Sequence, residues 1–160
     1  VGSVYEGRLV MEVRGIRYME ILGAQNADAL LTEYAGECSI PEIGAASPQA
    51  EMYAAMEGSG MFQAFGVFQE AELVGFAAVL VYVLPHYGRQ IATVESLFVA
   101  KAHRCGNAGL QLMRAIEQHA KLQECVAILY SAPTGSQLEK LLSLLKPYRN
   151  TNSVFCRSLQ

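Results

Sequence analysis

Glu95-Ser-Leu-Phe-Val-Ala-Lys-Ala-His-Arg104-Cys-Gly-Asn-Ala-Gly109-Leu-Gln-Leu-Met113 passes from an apolar strand pattern, through a short polar stretch, into helical spacing. The strand pattern ends at Val99 and the helix opens near Ala108. A helix leaves the amides of its first turn without intrahelical partners, so the N–H groups of residues 105–109 need acceptors from elsewhere. Small residues there let a ligand approach the backbone, and the helix dipole adds a positive field; together they suit a phosphate or pyrophosphate. The other common phosphate cradles, G-x-x-x-x-G-K-[ST] and G-x-G-x-x-G, do not occur. Taken alone the turn also has a plainer reading, in which Gly106 and Gly109 only relieve crowding between strand and helix.

Upstream, Met61–Gln69 and Leu73–Leu84 are rich in Phe, Val and Leu and flank the polar Glu70-Ala71-Glu72, which predicts a β-hairpin. Pro85-His86-Tyr87-Gly88 then turns the chain into a strand over Gln90–Val99. Before the hairpin the pattern predicts a strand over Leu9–Arg14 and helices over Tyr18–Leu22 and Ala27–Cys38. A third helix, capped by Ser47 with Pro48 at its first position, is expected to run to Glu57 and stop at Gly58-Ser59-Gly60. Downstream, Ala108–Lys121 places Leu112, Ala115, Ile116, His119 and Ala120 on one stripe, which makes His119 a core histidine. A strand over Cys125–Ser131 follows, then a last helix with two candidate capping boxes, Thr134–Gln137 and Ser136–Glu139. Pro147 ends that helix before a final strand over Val154–Ser158. The order β-α-α-α-β-β-β-α-β-α-β describes an α/β fold with a mixed sheet.

Composition narrows the function. At 160 residues, 52% apolar and 17% charged, residues 1–160 are expected to form a single domain around one core. The longest apolar run, Leu73–Leu84, is 12 residues and falls short of the ~20 that cross a bilayer, so no membrane partner is expected. Twelve Lys and Arg against fifteen Asp and Glu give a net charge of −3, without the basic surplus that nucleic acid binding draws on. No basic segment leads into an apolar h-region at the start, so the cytoplasm is the expected location. Cys38, Cys105, Cys125 and Cys156 form no C-x-x-C pair and only three histidines are present, so no metal site is expected. The thiols read as reduced and mostly buried.

Arg104-x-x-Asn107-x-Gly109, directly after the strand ending Leu97-Phe98-Val99, resembles the [RQ]-x-x-G-x-[GA] pyrophosphate loop of the GNAT family of acyl-CoA-dependent N-acetyltransferases. His103-x-x-Gly106-x-Ala108 also satisfies a loose form of the motif, but the Arg104 register keeps the family's distance from Val99. The words ESLFV and AGLQLMRAIEQHA look like the family's fourth strand and third helix, and the order of elements is similar to the family's. The resemblance implies a central, mostly antiparallel sheet splayed between strands 4 and 5, with helices on both faces. The sequence departs from the pattern at Asn107, where the family most often has Gly. Asn is the residue after glycine that best tolerates positive φ, and Gly106 beside it can share that role.

The resemblance further implies acetyl-CoA as cosubstrate and transfer of its acetyl group to a primary amine of a small molecule or protein. The pantetheine arm would lie between splayed edges at Glu95–Val99 and Ala127–Ser131, pairing with the backbone of Leu97 and Val99. A backbone N–H near Leu97 or Phe98 would stabilise the oxyanion. Arg104, Cys105, Gly106, Asn107, Ala108 and Gly109 would form the phosphate loop, with Arg104 adding charge and Cys105 serving as a small spacer. An alkylamine with a pKa of about 10 is protonated at neutral pH, so a base must collect a proton. Glu95, the only carboxylate between Glu72 and Glu117, is the first candidate. Its plainer roles are binding a cationic substrate or pairing with Arg89. In the family the general acid is often a tyrosine on the helix after the fifth strand, but residues 134–147 contain none, which leaves Tyr130 and Tyr148 as substitutes. That gap motivates a second reading, an acyl-CoA-binding module of the same fold without turnover. A member acting on aminoacyl-tRNA would need a basic face, against a pI near 5.6. A homodimer paired through Val154–Ser158 is also expected from the resemblance. His86, Tyr87 and Arg89 could line the amine pocket, although exposed turn residues are their simpler reading.

Overall fold

A computed structural model describes residues 10–159. Five strands form one sheet in the order β1-β2-β3-β4-β5: β1 Met11–Ile16, β2 Phe62–Gln69, β3 Glu72–Leu84, β4 Arg89–Val99 and β5 Ile128–Tyr130. The first four strands pair antiparallel, whereas β5 joins β4 in parallel, because helix α4 (Ala108–Leu122) carries the chain back across the sheet. Helices α1 (Tyr18–Leu22), α2 (Ala27–Cys38) and α3 (Ala50–Gly58) connect β1 to β2, and α5 (Gln137–Leu144) follows β5.

Helices lie on both faces of the sheet, and a separate apolar layer fills each. On the α4 side Leu112, Ile116 and Ala120 pack against Val74, Ala77, Val79 and Val81 of β3. On the other side Tyr18, Ile21 and Leu30 meet Leu73, Phe76 and Ala78 of the same strand. Burial on both faces explains why Leu73–Leu84 reads as a continuous apolar run rather than an alternating one.

One irregularity shapes β4. Ala78 opposes Ser96 while Val79 opposes Val94, so Glu95 is an extra residue with no cross-strand partner. Val94 and Leu97, three positions apart, consequently both pack on the α4 side, which a regular strand with a period of two does not allow. The bulge re-aims Glu95 toward the opposite face.

Several expected boundaries are corrected. Leu9 of the first expected strand lies outside the described residues. Helix α3 begins at Ala50 with Gln49 as its cap residue; Ser47 instead receives the Gln49 amide on its carbonyl at 2.9 Å and on its hydroxyl at 3.4 Å. The strand expected over Cys125–Ser131 shrinks to Ile128–Tyr130, which pair with Ala92–Val94 of β4, while Val126 and Ala127 are joined to Gln90 and Ala92 only by backbone bonds of 2.9 and 3.0 Å. Of the two capping boxes for α5, half of the second forms: Ser136 caps the Glu139 amide at 3.1 Å, whereas the Glu139 carboxylate accepts the Gly135 amide rather than that of Ser136. Val154–Ser158 forms no strand, with Val154 86% and Phe155 92% exposed. Apolar composition alone does not make a strand, whose extent is set by long-range pairing, so the strand on which the expected dimer rested is not formed. The thiols are less buried than expected, since Cys105 and Cys156 are exposed; all four are free.

Candidate active site

The parallel pairing of β4 and β5 stops at Val94 and Tyr130. Beyond that point β4 continues for five residues, Glu95–Val99, with no described strand on that side, and the sheet opens there. Residues Ile128–Tyr130, expected as part of the second splayed edge, are instead paired, so the opening begins after them. The Ala100 amide donates to the Val74 carbonyl at 2.9 Å, which turns the amide and carbonyl of Val99 away from β3. The alternation gives Leu97 the same orientation and points the Phe98 amide at β3. Of the two amides expected near the reacting carbonyl, that of Leu97 faces the opening. The Phe98 side chain is buried on the opposite layer, 3% exposed.

After β4 a single 3-10 turn, Lys101–His103, leads to Asn107, which precedes α4. The first α4 amide bonded back to Asn107 is that of Gln111, at 2.9 Å, so those of Ala108, Gly109 and Leu110 have no partner within the helix. Asn107 has φ −105°, so the turn needs no positive φ, and its side-chain Oδ1 instead accepts from Gln111 Nε2 at 2.6 Å. A Cβ on Gly106 would meet no atom within 4 Å, and one on Gly109 would meet only Val99 Cγ2, at 4.0 Å. The protein's own packing therefore demands glycine at neither position. Leftover amides at a helix start, beside glycines with no side chain to cover them, are what a phosphate group fits. Cys105 is exposed in the same turn. The Arg104 side chain is engaged within the protein: its Nε donates to the Val99 carbonyl at 2.7 Å, and Nη2 pairs with Glu37 of α2 at 2.9 Å.

On the other face the bulge delivers Glu95 to a group of tyrosines. The Tyr53 hydroxyl donates to Glu95 Oε1 at 3.1 Å, and the Tyr53 ring stacks on Tyr18 with centroids 3.6 Å apart. Tyr34 stands edge-on to Phe76 and Phe98 at 5.2 and 5.5 Å. Burial, and then the charge of Glu95, push the Tyr34 and Tyr53 hydroxyls above the ordinary phenol range, so both stay protonated. Glu95 itself is exposed at the opening. Its hydrogen bond is to Tyr53, and no ion pair with Arg89 forms among the described residues. Tyr53 was not singled out from the sequence. The available signal, a tyrosine on a short helix before the hairpin, gives no clue that it meets β4 42 positions later.

Tyr130 lies elsewhere. It pairs with Val94 and packs against the α4-side layer, opposite to Glu95, so the two expected catalytic side chains are not brought together. Burial raises the Tyr130 hydroxyl, which is buried without a hydrogen bond of good geometry; the Tyr148 ring stands edge-on to it at 5.5 Å. Tyr148 donates to Glu117 at 2.6 Å, and burial together with that bond pushes its hydroxyl up to about 12. His119 faces the core beside Phe65; His86 and Tyr87 are exposed turn residues, and Arg89 is exposed as the first residue of β4, paired with Leu84. Among the described residues no group of three His, Cys, Asp or Glu side chains is placed to hold a metal ion, and no helix is long and apolar enough to cross a membrane.

Comparison with known proteins matches this geometry at the level of fold. The chain superposes on the ribosomal-protein-alanine N-acetyltransferase of Brucella melitensis biovar Abortus 2308 with a TM-score of 0.69 and 17% identity, over 92% of this chain and 99% of that one. An aminoglycoside acetyltransferase from an uncultured soil metagenomic sample gives 0.71 at 14% identity, over 94% and 97%. Glucosamine-6-phosphate N-acetyltransferase from Arabidopsis thaliana gives 0.69 at 10%, over 94% and 99%. No curated protein matches the chain in sequence. The sequence profile of the acetyltransferase (GNAT) family, however, matches residues 28–141, from α2 through the opening to α5, and the chain therefore belongs to that family.

Proposed function

We propose that the chain acts as one acyl-CoA-dependent N-acetyltransferase domain that moves the acetyl group of acetyl-CoA to a primary amine. The observation that carries this is the free edge of β4 leading directly into first-turn amides without helix partners, beside Gly106 and Gly109, where a Cβ would meet no atom nearer than 4.0 Å. The Leu97 peptide group and the Val99 N–H offer ladder partners to an extended amide chain such as pantetheine, the Val99 carbonyl being taken by Arg104, and the residue 105–110 backbone offers donors to its pyrophosphate. The thioester supplies an activated acyl group. At the opening the Leu97 N–H is placed to stabilise negative charge developing on the acyl oxygen. Glu95 collects the proton that the ammonium group must lose, and Tyr53 holds that carboxylate through its hydroxyl. The amine nitrogen bonds to the acyl carbon, the C–S bond breaks, and the thiolate leaves as a thiol after taking a proton. A thiol pKa of about 8.5 lets water supply that proton without a dedicated acid.

Two of the three neighbours described are named as N-acetyltransferases, which favours an amine acceptor. The four free cysteines fit a reducing compartment, and we place the reaction in the cytoplasm, with no metal taking part. A module that binds acyl-CoA without turnover is the second reading, favoured by the position of Tyr130 on the face away from Glu95. The first experiment is calorimetric titration with CoA and acetyl-CoA, repeated on Gly109→Trp. A Cβ at this position meets only Val99 Cγ2, at 4.0 Å, so the variant should fold, which its unliganded melting temperature checks, while binding is lost. Equal binding by the variant would contradict the loop assignment.

A further inference from the structure

Two carboxylates of α2, one helical turn apart, reach the loop that follows β4. Glu33 Oε1 accepts the backbone N–H of Lys101 at 2.7 Å. Glu37 Oε2 pairs with Arg104 Nη2 at 2.9 Å, and its Oε1 lies 3.3 Å from Lys101 Nζ. Arg104 is held on two further sides, by the Val99 carbonyl at 2.7 Å and by the Phe98 ring, whose centroid is 5.3 Å from the guanidinium. Both cations of the loop are thus engaged with the protein. A carboxylate in this place is adverse to anion binding, since it repels phosphate and occupies the charges that would attract it.

We infer that Glu33 and Glu37 are positioning residues of the acyl-CoA loop, which fix residues 100–104 so that the amides that follow face the opening, with Arg104 a strut rather than a phosphate ligand. This rests on the acyl-CoA reading above. The carboxylates anchor the loop from a helix packed on the sheet face opposite α4, through Leu30. The two anchors differ in kind. Glu33 needs only to accept a hydrogen bond, whereas Glu37 must balance two cations; Arg104 above all, with Lys101 adding to it, holds its carboxyl below the usual range.

The test is CoA titration at physiological salt with the whole chain, alongside hydrogen exchange of residues 101–110 without ligand. If Glu37 merely repelled phosphate and sequestered cations, Glu37→Gln would tighten CoA binding. Positioning predicts weakening by roughly three- to tenfold and faster exchange across the loop, with the α4 core unchanged. Glu33→Ala should weaken binding similarly, and Glu33→Gln, which keeps an acceptor for the Lys101 amide, should stay within about twofold of the native chain. Tighter or unchanged binding in Glu37→Gln, unchanged exchange, or failure of Glu33→Gln to preserve affinity overturns the inference. The native titration separates the two failures: a native chain that does not bind CoA removes the acyl-CoA reading itself, and this inference with it.

Discussion

Glu95 faces the tyrosines because β4 carries one residue more than β3 can pair. That placement makes its carboxylate and the Tyr53 hydroxyl a unit, and the two substitutions should behave differently. Glu95→Gln keeps the shape and removes the base, so kcat should fall by about a hundredfold or more. Tyr53→Phe keeps the ring stack on Tyr18 and removes one hydrogen bond to a charged group, so kcat should fall by roughly tenfold. The KM for acetyl-CoA should hardly change in either variant, and steady-state kinetics checks both; an equal loss in KM would mean that the pair binds cofactor instead. At this scale the sequence was half legible. Glu95 stood out as an isolated carboxylate in an apolar strand, but its partner did not, because helix–strand contacts across 42 positions leave no local pattern. Arg104 stood out too, yet its engagement with Glu37 depends on a helix 67 positions away.

Among the elements, β3 and α4 set the geometry of the opening. A Cβ on Gly75 would meet the Phe98 carbonyl at 2.6 Å and Val99 Cα at 3.0 Å, both backbone, so β4 would have to move. Gly75→Ala should cost about 1–3 kcal/mol in denaturant unfolding and weaken CoA binding, since the displaced residues lead into the loop. In α4 His119 presents a buried Nε2 with no partner, and burial lowers its pKa. The folded chain therefore stays neutral where the unfolded chain takes up a proton, near pH 6.5, and stability should fall as pH drops through that value. His119→Leu should flatten the fall in melting temperature between neutral and mildly acidic pH; an identical fall would assign it to other groups. Long periodic elements such as β3 and α4 were legible almost to the residue. The short β5 was not, because its extent depends on where β4 diverges, and neither was Val154–Ser158, whose composition suits a strand but which forms none.

For the whole molecule, the order of elements implied an α/β fold with a mixed sheet, the family resemblance implied helices on both faces and an opening between the fourth and fifth strands, and the sheet shows that opening between β4 and β5. What the order could not convey is how the opening is held: by a bulge on one side and by α2 carboxylates on the loop. Acetyl transfer to an amine is the claim that unites these parts. It is tested most directly by incubating the chain with acetyl-CoA and a panel of primary amines, measuring free thiol over time and the acceptor mass. The account predicts thiol release that depends on the amine, an equal amount of product heavier by one acetyl group, and loss of both in Glu95→Gln. Tight acetyl-CoA binding with no amine-dependent thiol release across small-molecule and peptide amines would contradict it and leave the chain a binding module.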